Sequence, residues 1–581
     1  MPKQTQSPNN KLGDFTITPR VLMISSLAIA IGFVSAFIAA ALLKLIALFT
    51  NLFFFQRWSL AASSPAQNHL GPWEVAVPVV GALIIGLMAR YGSERIRGHG
   101  IPEAIEAILI NGSRVQPKVA ILKPLSSAIS IGSGGPFGAE GPIIMTGGAF
   151  GSMIAQFFHL SGTERKTLLV AGAAAGMSAT FAAPVAAVLL AVELLLFEWK
   201  PRSLIPVALA SVTACAARRY ILGLGPLFPV PAHPVFIGPQ GLMGCVIAGI
   251  LAGVLSALLT MAVYAAEDSF AKLPIHWMWW PALGGLTIGL GGLIFPQALG
   301  VGYETIGALL QGDVPRNLIL GILLVKSVIW AVSLGSGTSG GVLAPLLMMG
   351  GALGGLEAMV LPAEGAGFWP LVSMGAILGG TMRSPFTGVI FALELTHDIN
   401  MMLPLLLAVT IAHGFTVLTL KRSILTEKVA RRGFHLSREY SVDPLETLFV
   451  RDVMRTSIVS FAATSPAVQA MAARGQSVYP VVDRQNLLIG VVPREAVEGL
   501  PAEVTLGDIA NRNPIVAHPG EPLRAVVHRM AETSTTRLAV VDQSRALLGL
   551  VSLDDLLLAR TRSNHEEHHR ERVLRFGKRA S

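Results

Sequence analysis

The chain has 581 residues, 52% of them hydrophobic and only 14% charged. Globular chains carry about a quarter charged residues, so a soluble enzyme of ordinary composition is excluded. Collagen is excluded too, because the 60 glycines follow no three-residue period. The two cysteines, Cys215 and Cys245, allow one bridge at most and no cysteine metal cluster.

Charge divides the chain. Residues 421–581 hold 23 Lys/Arg and 18 Asp/Glu, whereas the first 420 hold 21 and 17 together with all eight tryptophans. So sparse a charge over 420 residues cannot cover a water-facing surface, and that part is expected in a lipid bilayer. The tail has the charge density of a soluble domain. Neither part concentrates basic residues as a nucleic-acid binder must, so no nucleic acid is expected as a partner.

Residues 1–20 are polar and net positive, which favours a cytoplasmic N-terminus. The apolar run Val21 to Thr50, broken only by Lys44, is too long for a cleaved signal peptide and predicts a retained spanning helix. Later apolar stretches (74–90, 203–217, 241–264, 280–297, 318–334, 401–420) are in several cases too short for a full span, and many are cut by Gly or Pro. Such segments point to broken helices around a buried site.

Two of them repeat. GSGGPFGAEGPIIMTGG at 132–148 and GSGTSGGVLAPLLMMGG at 335–351 agree at 8 of 17 positions without gaps. PVAAVLLAVE (184–193) then matches PFTGVIFALE (385–394), with Pro first and Glu last in both, so the offsets are 203 and 201 residues. The expected fold is an all-α polytopic membrane bundle of two homologous halves, about 21–220 and 241–430. Glu193 and Glu394, paired by the repeat, are expected to share a structural role through an interhelical hydrogen bond.

The repeats carry chemistry. Each places glycines before an apolar helix whose first turn holds a proline, Pro142 or Pro345, where the missing N–H costs nothing. A helix start carries about half a positive charge and unpaired N–H groups, which suits an anion. Two such starts facing each other would hold one without a lysine or arginine, and so would release it readily. Glycines that merely allow close helix packing are the competing explanation. Glu140 is an ionisable side chain inside this apolar loop, costly and therefore a functional candidate. Its carboxylate can occupy the anion's place when ionised and leave it when protonated, acting as gate and proton acceptor together.

GAEGP at 138–142, GGVLAP at 340–345 and GHGIPE at 98–103, in this order, resemble the CLC family of chloride channels and proton-coupled chloride transporters over roughly residues 21–430. The tail, 447–562, resembles the α/β pair of CBS domains that many members carry. The resemblance implies an inverted-repeat bundle (21–430), a homodimer with one pore per subunit, a linker (431–446), CBS units at 447–500 and 501–562, and a charged tail (563–581). It implies chloride or a similar small anion as substrate, no required cofactor, no metal, and no enzymatic activity. Glu140 falls on the gating glutamate. Gly98, His99, Gly100, Ile101, Gly138, Ala139, Val342, Leu343 and Leu425 fall on anion-binding positions.

There are departures. His99 stands where the family places a serine, and an imidazole changes both hydrogen bonding and pH response. Leu425, in Ser423-Ile424-Leu425-Thr426-Glu427-Lys428, replaces a tyrosine and cannot donate a hydrogen bond. Leu194 occupies the inward position where proton-coupled members carry a second glutamate, and a leucine cannot relay a proton. The expectation is therefore a chloride channel of the inner membrane, with its N-terminus and CBS tail cytoplasmic. A proton-coupled antiporter is the alternative, and a CBS-regulated magnesium transporter is disfavoured because the repeats supply no intramembrane carboxylate ring. A membrane protease would need a partner for Ser133 or Ser336, and none stands out. In the tail, Ser552 and Asp555 have the spacing with which CBS units hold an adenine nucleotide's ribose. A plain helix N-cap explains them equally well. His565, His568 and His569 read as part of a solvated charge run.

Overall fold

The structure, a computed structural model, describes residues 18–312, 314–433, 445, 448–471, 476–501 and 503–568. The N-terminal residues 1–17, most of the linker, His569 and the side chains of His565 and His568 lie outside the described residues. The chain divides into two compact units, the larger spanning 15–438 and the smaller lying within 439–581.

The larger unit is helical throughout. Its first half runs α1 (Arg20–Phe55), α2 (Ala76–Tyr91), α3 (Ile101–Leu109), α4 (Pro117–Gly132), α5 (Glu140–Gln156), α6 (Gly162–Phe181), α7 (Pro184–Leu190) and α8 (Pro201–Ile221). The second runs α9 (Pro239–Ala271), α10 (Trp280–Ile294), α11 (Tyr303–Gln311), α12 (Arg316–Gly321), α13 (Ser327–Gly335), α14 (Leu343–Glu357), α15 (Phe368–Met382), α16 (Pro385–Thr396) and α17 (Met402–Thr419), with α18 (Ile424–Arg431) after it. The halves correspond in order: a very long first helix, a nine-residue helix at α3 and α11, and a Gly-preceded helix at α5 and α14. Among the described residues six helical stretches are long and apolar enough to cross a membrane, while α14, α15 and α16 fall short of that length. The run from Val21 forms a single helix of 36 residues.

Backbone and side-chain pairings show how the halves are related. Gly138 donates its N–H to Gly341 O (3.1 Å) and Gly341 donates back to Gly138 O (2.8 Å), an antiparallel bridge between residues the repeat makes equivalent. Equivalent residues paired head to tail are the signature of a two-fold axis between them. Glu193 accepts from the Phe386 and Thr387 amides (3.2 and 2.9 Å) at the start of α16. Glu394 accepts from the Val185 and Ala186 amides (2.9 and 2.8 Å) at the start of α7. Each carboxylate caps the other half's helix, satisfying amides that would otherwise be orphaned in a medium without water. The interhelical bond expected for this pair thus exists, made to backbone and reciprocally.

Among the described residues the smaller unit holds two three-stranded sheets of one design. In the first, β1 (Phe461–Ala462) pairs parallel with β2 (Val478–Val482), which pairs antiparallel with β3 (Leu488–Pro493). In the second, β4 (Val516–Ala517), β5 (Arg537–Val541) and β6 (Leu547–Ser552) repeat that pattern, including the bulge before the last pair. The short helices leading each repeat are exchanged. Val450 is buried in the core of the second sheet with Leu523, Val540 and Val551, and Leu506 in the core of the first with Tyr479 and Val492.

Candidate functional site

The three motifs singled out by sequence converge through their backbones. Gly98 bridges Ser339, with its N–H on Thr338 O at 3.0 Å. Gly98 and Gly100 have φ of +97° and +91°, conformations that glycine alone adopts freely. A Cβ on Gly100 would collide with the backbone of Gly141, and a Cβ on Gly141 with His99 O. Side chains at these places would push apart the chain segments that form the site.

At the centre α5 and α14 start toward each other. The first intrahelical bonds run from Ile143 N–H to Ala139 O (2.9 Å) and from Leu346 N–H to Val342 O (3.2 Å). Pro142 and Pro345 have no N–H, so the amides of Glu140, Gly141, Leu343 and Ala344 are the ones each helix start leaves without an intrahelical acceptor. Glu140 is fully buried. Its carboxylate folds back between the facing loops, where a Cβ on Gly138 would overlap it and one on Gly341 would lie 2.7 Å from Oε2. It lies near the amides of Glu140 itself and Ala344, with no hydrogen bond of regular geometry to either oxygen. An ionisable carboxyl group therefore stands where the two helix dipoles point.

Other candidates divide. Ala139 and Val342 are the buried N-caps of α5 and α14. The Gly138 amide is engaged in the loop bridge, and the Gly98 amide with Thr338. The Gly100 N–H donates to Glu103 Oε2 at 2.7 Å. These three amides hold the site's frame together. His99 is buried and its Nδ1 has no partner among the described residues; it lines a vestibule of about 480 Å³ that also reaches Arg97, Glu106, Glu267 and Arg432. Leu425 is fully buried in the first turn of α18. A phenol is close in the chain fold, but it belongs to Tyr264 and is tied to Ile424 O. Leu194 is fully buried in a single wide π-turn, Ala191–Leu196, while Glu193 is spent on the α16 cap. The hydroxyls of Ser133 and Ser336 donate to Ser130 O and Ser333 O (3.1 and 2.7 Å), a helix-end role in both halves.

Sequence reasoning missed a buried charge cluster beneath the site. Lys123 is fully buried and donates to Gly98 O (2.7 Å), Ile96 O (2.9 Å) and Ser339 Oγ (3.0 Å). Glu103 pairs with Lys428 at 2.7 Å. The signal was available: Lys123 and Lys326 both stand ten residues before the serine of a GSG loop. Lys326 is equally buried and donates to Gly300 O at 2.8 Å.

In the tail, Ser552 and Asp555 are bonded to each other. Ser552 Oγ donates to Asp555 Oδ2 (2.6 Å), the Asp555 N–H returns to Ser552 Oγ (3.3 Å), and Arg455 Nε reaches Asp555 Oδ1 (2.8 Å). Burial disfavours the Asp555 carboxylate, but the bonds from Ser552 and Arg455 outweigh it and hold its pKa below the ordinary value.

Fold and site define a polytopic membrane protein built from two inverted halves around facing helix starts. The family model described as voltage gated chloride channel matches residues 80–417, and the CBS domain model matches 506–562. The chain belongs to the voltage-gated chloride channel, or CLC, family, which moves chloride across membranes. It is 30% identical over 377 residues to an H(+)/Cl(-) exchange transporter, ClcA, of Yersinia pseudotuberculosis, covering 60% of this chain and 76% of that one. It is 26% identical over 555 residues to chloride channel protein CLC-e of Arabidopsis thaliana, covering 81% and 77%. Its fold is similar to that of a slow cyanobacterial Cl-/H+ antiporter, with a TM-score of 0.63 at 22% identity over 72% of this chain and 99% of the other.

Proposed function

We propose that this protein exchanges chloride for protons across a bacterial inner membrane, as a homodimer with one pathway per subunit and with its N-terminus and CBS tail in the cytoplasm. The observation that carries the reading is the Glu140 carboxylate lying between Gly138 and Gly341, in the path of both helix dipoles. A carboxylate there competes with chloride while ionised and yields the place once protonated, so one group links the two ions. His99, Ile101 and the free amides around Ala139, Val342 and Leu343 hold the anion, and Leu425 forms an apolar inner constriction. Exchange is preferred over the conduction expected from the sequence because the ClcA relative bears an exchanger's name. Conduction keeps one specific support, the buried Leu194 with Glu193 engaged elsewhere. The Ser552–Asp555 pair serves the tail as a helix cap, with an adenine nucleotide as the alternative occupant.

The test is chloride efflux from liposomes reconstituted with the full chain, with internal pH followed and no protonophore present. A chloride gradient that drives protons uphill supports exchange. Chloride flux without linked proton movement replaces exchange by conduction, and absence of flux for any halide or nitrate overturns the anion reading.

A further inference from the structure

A second cavity, of about 380 Å³, lies in the transport unit apart from the vestibule below His99. It is the vestibule's counterpart in the repeat. Where the vestibule meets His99 at the start of α3, this cavity meets Gly300-Val301-Gly302 at the start of α11, and its far wall is the later part of α1 around Leu43 to Thr50.

Three of its side chains, Arg218, Tyr303 and Ser63, carry buried donors without a partner among the described residues. Arg218 is only 8% exposed, gives one N–H to Gly223 O at 2.8 Å, and leaves Nε unpartnered. The hydroxyls of Tyr303 and Ser63, both on the lining, are buried with no partner. The first bond of α11 runs from Ile306 N–H to Gly302 O (3.0 Å), so three amides before it have no intrahelical acceptor. Glu304 is the acid on the lining, and it is exposed. An arginine buried with open N–H groups is costly unless something accepts them, and its planar fork matches a carboxylate. Most of the remaining wall is apolar, with Leu43, Ile46, Leu222, Leu227 and Leu299 beside a few hydroxyls such as Thr50 and Thr180 that are already bonded to backbone. A bare halide would leave that wall unfilled, while the volume is in the range of small-molecule sites, roughly 300–1,000 Å³.

The geometry points to a binding site for an organic carboxylate with a compact apolar body, its charged end on Arg218 and the α11 start and its body against α1.

The test uses the detergent-purified full chain and 4-(trifluoromethyl)benzoate, followed by fluorine NMR, with the uncharged benzamide analogue as control. Saturable binding of the benzoate is expected, at least tenfold weaker for the amide and for Arg218→Gln. Arg218 also holds Gly223, so a second variant, Ala47→Phe, fills the cavity without touching the arginine and is expected to abolish binding. No saturable binding, equal binding of benzamide, or unchanged binding to both variants overturns the proposal. Binding that follows these expectations in a protein that moves no chloride would support the site and refute the transport reading alone.

Discussion

A buried carboxylate in a membrane is expensive, and Glu140 has no hydrogen bond of regular geometry to offset the cost. What makes its place tolerable is the partial positive charge of two helix starts. Glu140→Gln and Glu140→Ala should therefore fold, because removing the charge removes a burden and not a packing contact. In liposome efflux assays both should leave chloride flux intact or faster and flatten its pH dependence. Abolished chloride flux in a correctly assembled protein would sink the gate assignment. Glu140 was legible in sequence because an acid in a Gly-rich apolar loop is conspicuous. Lys123 could have been found from the repeat position it shares with Lys326, but neither it nor Glu103 shows in sequence which distant residue, Ser339 or Lys428, it will meet.

Helices in this unit are held at their ends as much as along their sides. The reciprocal caps place a carboxylate on two amides of the opposite half. Charge-assisted bonds of this kind contribute about 1.5–3 kcal/mol where water is absent. Glu193→Gln and Glu394→Gln should each lower thermal stability in detergent by roughly that order. Glu193→Gln should lose more, because Thr387 Oγ1 also donates to it at 2.5 Å. A variant melting like the parent would show that the cap carries no stability. The meeting of α5 and α14 depends on closeness instead. A methyl group at Gly341 would lie 2.6 Å from Gly138 O and 2.7 Å from Glu140 Oε2. Gly341→Ala should spread the loops and displace the carboxylate, and overpacking of about 1–3 kcal/mol corresponds to at least a several-fold loss of chloride affinity by calorimetry. Unchanged affinity would mean that the loops are not the anion's frame. The repeat itself was visible in sequence; the two-fold bridge between its loops was not, because pairing across an axis leaves no mark on either strand alone.

At the scale of the molecule, two units with different solvents share one chain, and each answers pH in its own way. In the tail, the Asp555 carboxyl has a folded pKa below its unfolded value, so its contribution to stability is complete above about pH 4 and is lost as pH falls through the folded value. Asp555→Asn should cost about 0.5–2 kcal/mol at neutral pH, the range for losing an N-cap, and the difference from the parent should shrink in acid. Hydrogen exchange over residues 549–560 in the full chain would read this, and identical protection at neutral pH would refute it. The exchanged leading helices explain why a cut at residue 500 divides the tail by sequence and not by core: Val450 and Leu506 each cross to the other repeat. Local composition showed two similar units but not which core each short helix would choose.

The sequence alone determined the membrane class, the two halves, the three backbone motifs and the acid among them, because each depends on composition or on short-range spacing. Tertiary structure decided which amides remain free and which are used in framing the site, that Glu193 is a cap and Leu194 a core residue, and that Lys123 lies under Gly98. Those outcomes depend on which distant segment reaches a given donor or charge first, and that is settled only when the halves pack.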